Sequence, residues 1–383
     1  MLLGSRPVQK TSSCPSGTIN KMLISYDKIG TVLIVMMDRN LGNLVVCLSS
    51  IVALVEYFQG KKCYLAIDDA YKEIVENIKG LDRIIYYPRR ELRRSNLLRE
   101  AMLFLRFIQQ IRTTHSDVLI DFQGGNTSSL VTLLSGASYR ISNSAARKPY
   151  VYNAKIDLPV GKHKVQSYTE IVLAIGAHVE DTNFRLHASE LRRDSLESTL
   201  GLHGITANKP IVSIHAGAGI IQRQWTTEGF AEVADWLSAR GYQVIFVGAG
   251  TDLDKIHAVM SAVNLKAYNL GDKLSLGELM ALFEMSSLFL GSDSGPMHLA
   301  AAIGTPVVAL FGPGDDRRWR PLSPNSIVLR GQERCEDCRV KRQNCHDTPC
   351  ITQLSPERVK EAVVQLLEGD GENSTFSSEN SAP

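Results

Sequence analysis

Gly291-Ser292-Asp293-Ser294-Gly295-Pro296-Met297-His298-Leu299-Ala300-Ala301-Ala302 is the stretch on which the reading of this chain turns. An apolar run, Ser287–Leu290, stops against it. Small residues and one aspartate make a turn, and Pro296 opens a helical segment to about Ile303, a position where a proline's missing N–H does no harm. A strand, a tight turn and a helix start leave backbone N–H groups facing outward. That suits a phosphate, with little obstruction at Gly295. Asp293 falls at the strand tip and His298 one turn into the helix. A tight turn capped by Ser or Asp, with a locally packed histidine, reads the same residues without a ligand.

The pattern continues in both directions. Downstream, Pro306–Phe311 is a buried-strand candidate. Upstream, Pro210–His215 and Gln243–Val247 read as strands and Glu228–Arg240 as a helix with Phe230, Val233, Ala234 and Leu237 on one face. Thr251–Asp254 and Ser275–Glu278 look like capping boxes. The first half repeats the scheme. Thr31–Met37, Lys62–Ile67, Arg83–Tyr87 and Asp117–Asp121 read as strands, with helices over Leu41–Phe58, Ala70–Lys79, Leu92–Arg112 and Asn126–Ser135. Such alternation implies parallel sheets with helical crossovers, an α/β fold of two doubly wound halves facing a cleft. The expected division is a disordered segment 1–22, a first doubly wound domain 23–185, a linker 186–208, a second doubly wound domain 209–368 and a disordered tail 369–383.

The composition fits. The chain has 383 residues, 44% hydrophobic and 21% charged, enough for two soluble cores. A net charge of +2 gives no bulk reason to expect a nucleic-acid partner. The longest apolar runs are too short for a membrane span, and the polar N-terminal segment does not read as a signal peptide. A reducing, cytoplasmic setting is expected.

The segment from Gly291 through Ile303-Gly304-Thr305-Pro306 to Phe311-Gly312-Pro313 resembles the ADP-heptose:lipopolysaccharide heptosyltransferases of glycosyltransferase family 9. The resemblance runs from about Thr31 to Glu368 and is stronger in the second half. It implies the GT-B fold, two Rossmann-like domains with the nucleotide-sugar held by the C-terminal one. It also places Asp293, Ser294, Gly295 and His298 at the donor's diphosphate and ribose. His215-Ala216-Gly217-Ala218-Gly219 resembles the small-residue loop that faces the phosphates. Arg223-Gln224-Trp225 resembles a basic-x-Trp motif, with Arg223 where lysine is usual. A cation there neutralises the departing diphosphate. Gly248, with Asp252 or Asp254 after it, falls where the family reaches the nucleoside, and Leu274 where it packs an apolar side chain on the base. Helix capping and core packing are the competing readings. Gly217-Ala218-Gly219 lacks the third glycine of a dinucleotide loop, against a nicotinamide dehydrogenase.

On the acceptor side, Met37–Asn43 resembles a loop that ends Leu-Gly-Asp in the family, where the Asp is the proposed general base. Here Asn43 takes that place, and an amide does not accept a proton at neutral pH. Asp121 at a strand tip is the leading substitute and Asp38 the second. A loop-ordering role for Asp121 competes with the first. An asparagine at position 43 also suits a reaction that tolerates a weak base, or a protein that binds nucleotide-sugar with impaired catalysis.

Arg83 to Arg112 holds eight arginines against two glutamates, interleaved with leucines. Clustered arginines bind phosphates and anionic lipid surfaces. Arg89, Arg90, Arg93 and Arg94 are therefore expected at a phosphorylated lipid–sugar acceptor on the inner leaflet, and a solvated helix face is the alternative. Cys335, Cys338, Cys345 and Cys350 fall within sixteen residues. Four thiolates in one loop can hold a structural zinc or iron, and one protein-glycosylating branch of the family uses four cysteines for iron. No cofactor is expected in the chemistry itself. The reading is an inverting transferase of heptose, or a related sugar, from an ADP-activated donor to a lipopolysaccharide-core acceptor. A protein or another glycan is the alternative acceptor.

Overall fold

The computed structural model describes residues 26–76, 78–92, 95–206, 208–331, 345 and 348–368. The first sheet contains β1 (Thr31–Met36), β2 (Lys62–Asp68), β3 (Arg83–Tyr87), β4 (Val118–Asp121), β5 (Tyr139–Asn143) and β6 (Ala154–Ile156). The second contains β7 (Ile211–His215), β8 (Gln243–Phe246), β9 (Ala267–Asn269), β10 (Ser286–Ser292), β11 (Val307–Leu310) and β12 (Ser326–Leu329). The strand orders are 3-2-1-4-5-6 and, read the same way, 9-8-7-10-11-12. All pairings are parallel. Each sheet is thus doubly wound, with its strand order reversing between β1 and β4 and between β7 and β10. Ligands of such sheets bind outside the carboxyl ends at that reversal.

The longer helices are α1 (Leu41–Tyr57), α2 (Leu97–Arg112), α3 (Asn126–Leu134), α4 (Lys164–Ile175), α5 (Glu190–Leu202), α6 (Thr227–Ala239), α7 (Asp252–Ala262), α8 (Leu276–Met285), α9 (Gly295–Ile303) and α10 (Pro356–Glu368). β1 shows why the strands form. Val32, Ile34 and Met36 enter one core while Leu33 and Val35 enter the other, so both faces are buried. The first core continues through Leu44, Leu48 and Ile51 of α1 to Met297 and Leu299 of α9 and Phe289 of β10. Apolar packing therefore joins the two halves at α1 and α9. A Cβ on Gly42 would lie 2.6 Å from Cδ2 of His298, and one on Gly295 would lie 2.8 Å from Cβ of Leu41, so only glycine lets the two helix starts approach this closely. Glu73 adds a polar clasp. Its Oε2 accepts from the Gly277 N–H at 2.5 Å and its Oε1 pairs with Arg192 at 2.7 Å.

Several sequence expectations change. The helix expected over Leu92–Arg112 begins at Leu97, because the Asn96 side chain accepts from the Arg99 N–H and caps it there; Arg89–Leu92 is a separate short turn. The box at Ser275 is formed with Glu278, but Thr251 sits in helical conformation and caps nothing. The supposed linker contains α5, fastened to α8 by Arg193–Glu284 at 2.9 Å and Ser195–Glu278 at 2.7 Å. β5, β6, β9, β12 and α4 had no sequence counterpart. Segments 1–22 and 369–383 lie outside the described residues.

Candidate active site

The turn after β10 and the loop after β7 meet at the reversal of the second sheet, and His215 bridges them. Its Nδ1 lies 3.2 Å from Ser294 Oγ and its Nε2 lies 3.1 Å from Asp252 Oδ2. Both contacts are satisfied when Nε2–H donates to the carboxylate and Nδ1 accepts from the hydroxyl. Burial works to raise the Asp252 carboxyl. The hydrogen bond and charge of His215 and the Ala249 N–H outweigh it and hold the group below its ordinary range. A side chain at Gly217 would collide with that carboxylate, which explains the glycine. Asp252 is thus drawn into ordering the β7 and β10 loops rather than into capping.

Ser294 stands at the N-cap of α9, yet its side chain makes no cap bond. Its hydroxyl serves His215 instead, so the first N–H groups of α9 keep their capacity for an anion. Arg223 comes from the turn Ile221–Arg223 just before Trp225. The Trp225 ring is buried edge-on to Phe230, and its N–H donates to the Leu354 carbonyl at 2.9 Å. From that anchor Arg223 reaches Asp293 Oδ2 at 3.0 Å, and its Nε is buried with no hydrogen-bond partner among the described residues. Gly219 faces open space, Gly248 makes room for Asp252 and Ile256, and Leu274 is half-buried beside α8. His298 is buried between Gly42 and the edge of the Trp319 ring, 6.1 Å away. Burial first, and the charge of His163 second, lower it to about 3, so its imidazole is neutral.

Across the cleft the two base candidates sit in different surroundings. Asp121 is fully buried. Its Oδ1 accepts from the N–H groups of Gln123 and Gly124, and its Oδ2 accepts from the Tyr152 hydroxyl at 2.6 Å. Burial raises its carboxyl despite those donors. It holds the loop after β4 in shape and is closed off from solvent. Asp38, at the mouth of β1, accepts from the Asn40 N–H at 2.9 Å and from Asn43 Nδ2 at 2.7 Å. Asn43 thus orients the Asp38 carboxylate, and its own Oδ1 is buried with no partner among the described residues. A few residues that sequence reasoning missed stand nearby. Lys164 opens α4 with its Nζ 4.5 Å from the Tyr168 ring centre. Burial, then Arg318 from the other half, lowers its amine, while Asp38 and Cys47 counteract. His163 Nε2 meets the Arg320 carbonyl at 3.0 Å. A basic residue one turn before an aromatic at the start of an amphipathic run was the available signal.

Arg39, Arg89 and Arg90 line a recess of about 200 Å³ with Asp68, Ala70 and Tyr71. Arg89 is not free, because its Nε pairs with the buried Asp68 and its guanidinium lies over the Tyr87 ring at 5.0 Å. Arg90 and Arg39 are the exposed cations there. Arg93 and Arg94 lie outside the described residues, as do Cys335 and Cys338. Cys345 is half-buried and Cys350 buried. Among the described residues no three His, Cys, Asp or Glu side chains converge as metal ligands. No helix there is long and apolar enough to cross a membrane.

Comparison with known proteins bears on this geometry. A family model described as glycosyltransferase family 9 (heptosyltransferase) matches residues 104–348. Lipopolysaccharide heptosyltransferase 3 of Escherichia coli is 29% identical over 242 residues, 58% of this chain and 67% of that protein. Across the curated relatives the matched stretch spans 35% to 67% of their own length. Among solved structures, the glycosyl transferase family 9 protein of Veillonella parvula superposes with a TM-score of 0.79 at 22% identity, covering 91% of this chain and all of the other. The E. coli ADP-heptose lps heptosyltransferase II gives 0.71 at 20% identity, covering 89% of this chain and all of the other. At those identities the structures establish the two-domain fold.

Proposed function

The chain belongs to glycosyltransferase family 9, the heptosyltransferase family, and on that premise we propose that it transfers a heptose from an ADP-activated donor to a hydroxyl of a lipopolysaccharide-core acceptor, inverting the anomeric carbon. The observation that carries this is the pairing across one cleft of an anion site, Arg223 with the start of α9, and an oriented carboxylate, Asp38 with Asn43. The name of the E. coli structural relative, an ADP-heptose enzyme, supports the donor.

In this reading the diphosphate lies over the first turn of α9 between the 293–295 loop and Arg223. As the anomeric C–O bond breaks, its electron pair leaves with ADP, and Arg223 and the helix N-terminus meet the growing charge. The acceptor oxygen attacks the opposite face and Asp38 takes its proton. Asn43 holds Asp38 in place through the amide N–H it donates. Arg90 and Arg39 supply positive charge for a phosphorylated acceptor on the β1–β3 side of the sheet. No metal step is needed, since these groups supply the field. The residue at 43 also favours a second reading, a nucleotide-sugar-binding protein with weak turnover.

Calorimetry with ADP-, UDP- and GDP-sugars tests the donor, followed by mass analysis of product with a phosphorylated core acceptor. ADP preference and a product heavier by one heptose are expected. A preference for UDP- or GDP-sugars overturns the heptose reading. Tight ADP-heptose binding with no product on lipid–sugar, glycan or protein acceptors selects the binding-only reading.

A further inference from the structure

Helix α2 carries an apolar stripe that nothing in the described fold covers. Its inner face, with Phe107, Ile108 and Ile111, is buried against the first sheet. On its outer face Leu98, Met102 and Leu105 recur at helical spacing and are 77%, 49% and 64% exposed. Helix α3 packs beside α2 and exposes Leu130 and Leu133 one turn apart. The short turn Pro149–Val151 touches α3 and presents Tyr150, 77% exposed. One exposed leucine needs no explanation, but a row of them on neighbouring helices does.

The charge on this face has one dominant sign. Arg99 and Arg106 stand about a quarter-turn from the stripe, Arg112 closes the C-terminal end of α2, and Arg147 lies beside the tyrosine turn. Glu100 is the only acid in α2 and it is turned partly inward, while Glu91 ahead of the helix lies 3.7 Å from Arg99 in a solvent-exposed pair that leaves Arg106, Arg112 and Arg147 to set the sign. Leucines flanked by arginines, with an aromatic ring at the edge, match a lipid–water boundary. The apolar side chains reach the acyl region while the guanidinium groups meet headgroup phosphates. A protein groove built for this face would have to supply acids opposite every arginine, whereas an anionic bilayer presents them everywhere.

We infer that α2, α3 and the Pro149–Val151 turn form a docking surface for an anionic membrane. The inference stands on the surface itself; only its purpose, to bring the cleft to a lipid-linked acceptor, rests on the function proposed above. The test is sedimentation of the full chain with phosphatidylcholine vesicles containing about 30% phosphatidylglycerol, and with neutral vesicles, at low and high salt. Wild type is expected to sediment with the anionic vesicles and to be released by salt. L98E/L105E should lower the partition coefficient about tenfold or more. R99S/R106S should weaken binding to anionic vesicles alone. Calorimetric ADP binding, far from these exposed positions, should be unchanged in both variants; it separates loss of docking from loss of fold, and from failure of the donor reading. Wild type that stays in the supernatant with anionic vesicles overturns the inference. So does a dimer that L98E/L105E dissociates, which would assign the face to a second copy of the chain.

Discussion

Replacing Asn43 with aspartate puts back the residue usual at this loop position in the family, and the geometry says it should harm the enzyme at neutral pH. In the native protein the Asn43 amide donates to Asp38 Oδ2 at 2.7 Å. The variant turns that donor into a second carboxylate facing the first at the same separation, in a site where Asp38 is 5% exposed. Two unit charges about 4 Å apart repel by about 4 kcal/mol at an effective dielectric of about 20. That is a factor of about 10³ against double ionisation, so the pair keeps one proton near pH 7 and titrates as a unit. With the proton shared, the base is withdrawn for much of the time. Turnover at pH 7 should fall about tenfold and recover as the pH rises toward about 9. The assay is steady-state ADP release with donor and acceptor across that range. D38N alone should lower turnover by about 10² or more. D38N/N43D removes the repulsion while leaving one carboxylate in the loop, and should recover a substantial part of the loss. If N43D equals wild type with an unchanged pH profile, the carboxylate of Asp38 has no part in proton removal and the reasoning fails.

Further outcomes follow from single contacts. Arg223→Gln should weaken ADP affinity and lower kcat by about 10²–10³, because the cation that meets the leaving diphosphate is gone; unchanged kcat in single-turnover measurements would remove Arg223 from the departure step. Tyr152→Phe takes away the hydroxyl donor to Asp121 Oδ2. It should cost about 1–3 kcal/mol in denaturant unfolding while leaving the activity of the folded fraction intact, and a selective loss of turnover would return Asp121 to the catalytic set. His298 sits neutral in the fold, lowered to about 3 from an ordinary 6.5. Its unfolded form therefore binds a proton first as pH falls, and stability drops between about pH 6.5 and 3. His298→Asn should flatten that limb in urea titrations at several pH values.

Much of the donor side was legible because its residues are local to strand ends. The turn after β10, the helix after Pro296 and the capping box at Ser275 are short-range patterns, and they sit where periodicity put them. Harder to read were surroundings that depend on distant partners. Asp121 sits at a strand tip, and only the fold shows that Tyr152, 31 residues on, closes over it. Arg89 looks like a free cation until Asp68 at the end of β2 pairs with it. Thr251-x-x-Asp254 has the spelling of a capping box, but His215 recruits the intervening Asp252. Two of the missed strands have their own reason. β6 is three residues long and half-exposed, and β5 has only Ile141 as a strong apolar residue, so neither shows the buried run that marks β1 or β7.

The two sheets repeat one topology and use it for opposite chemistry. At each strand-order reversal the first loop of the sheet lies beside the start of a helix, α1 after β1 and α9 after β10, and the two helix starts touch through Gly42, His298, Leu41 and Gly295. Both positive helix ends therefore point into one cleft. On the α1 side that end is already answered by a fixed anion, because Asp38 accepts from the Asn40 N–H just ahead of the helix. On the α9 side Ser294 is diverted to His215, and the nearby Asp293 carboxylate is matched by Arg223, so positive capacity remains. In the proposed reaction a diphosphate is drawn to the second side and repelled from the first. The same asymmetry sets the direction of proton flow in the proposed reaction, toward the carboxylate at α1 and away from the oxygens gathering charge at α9. Asp293 contributes by holding Arg223 at 3.0 Å before any ligand arrives. The guanidinium is then already aimed at the crevice, and little reorganisation remains for the moment when the anomeric bond breaks.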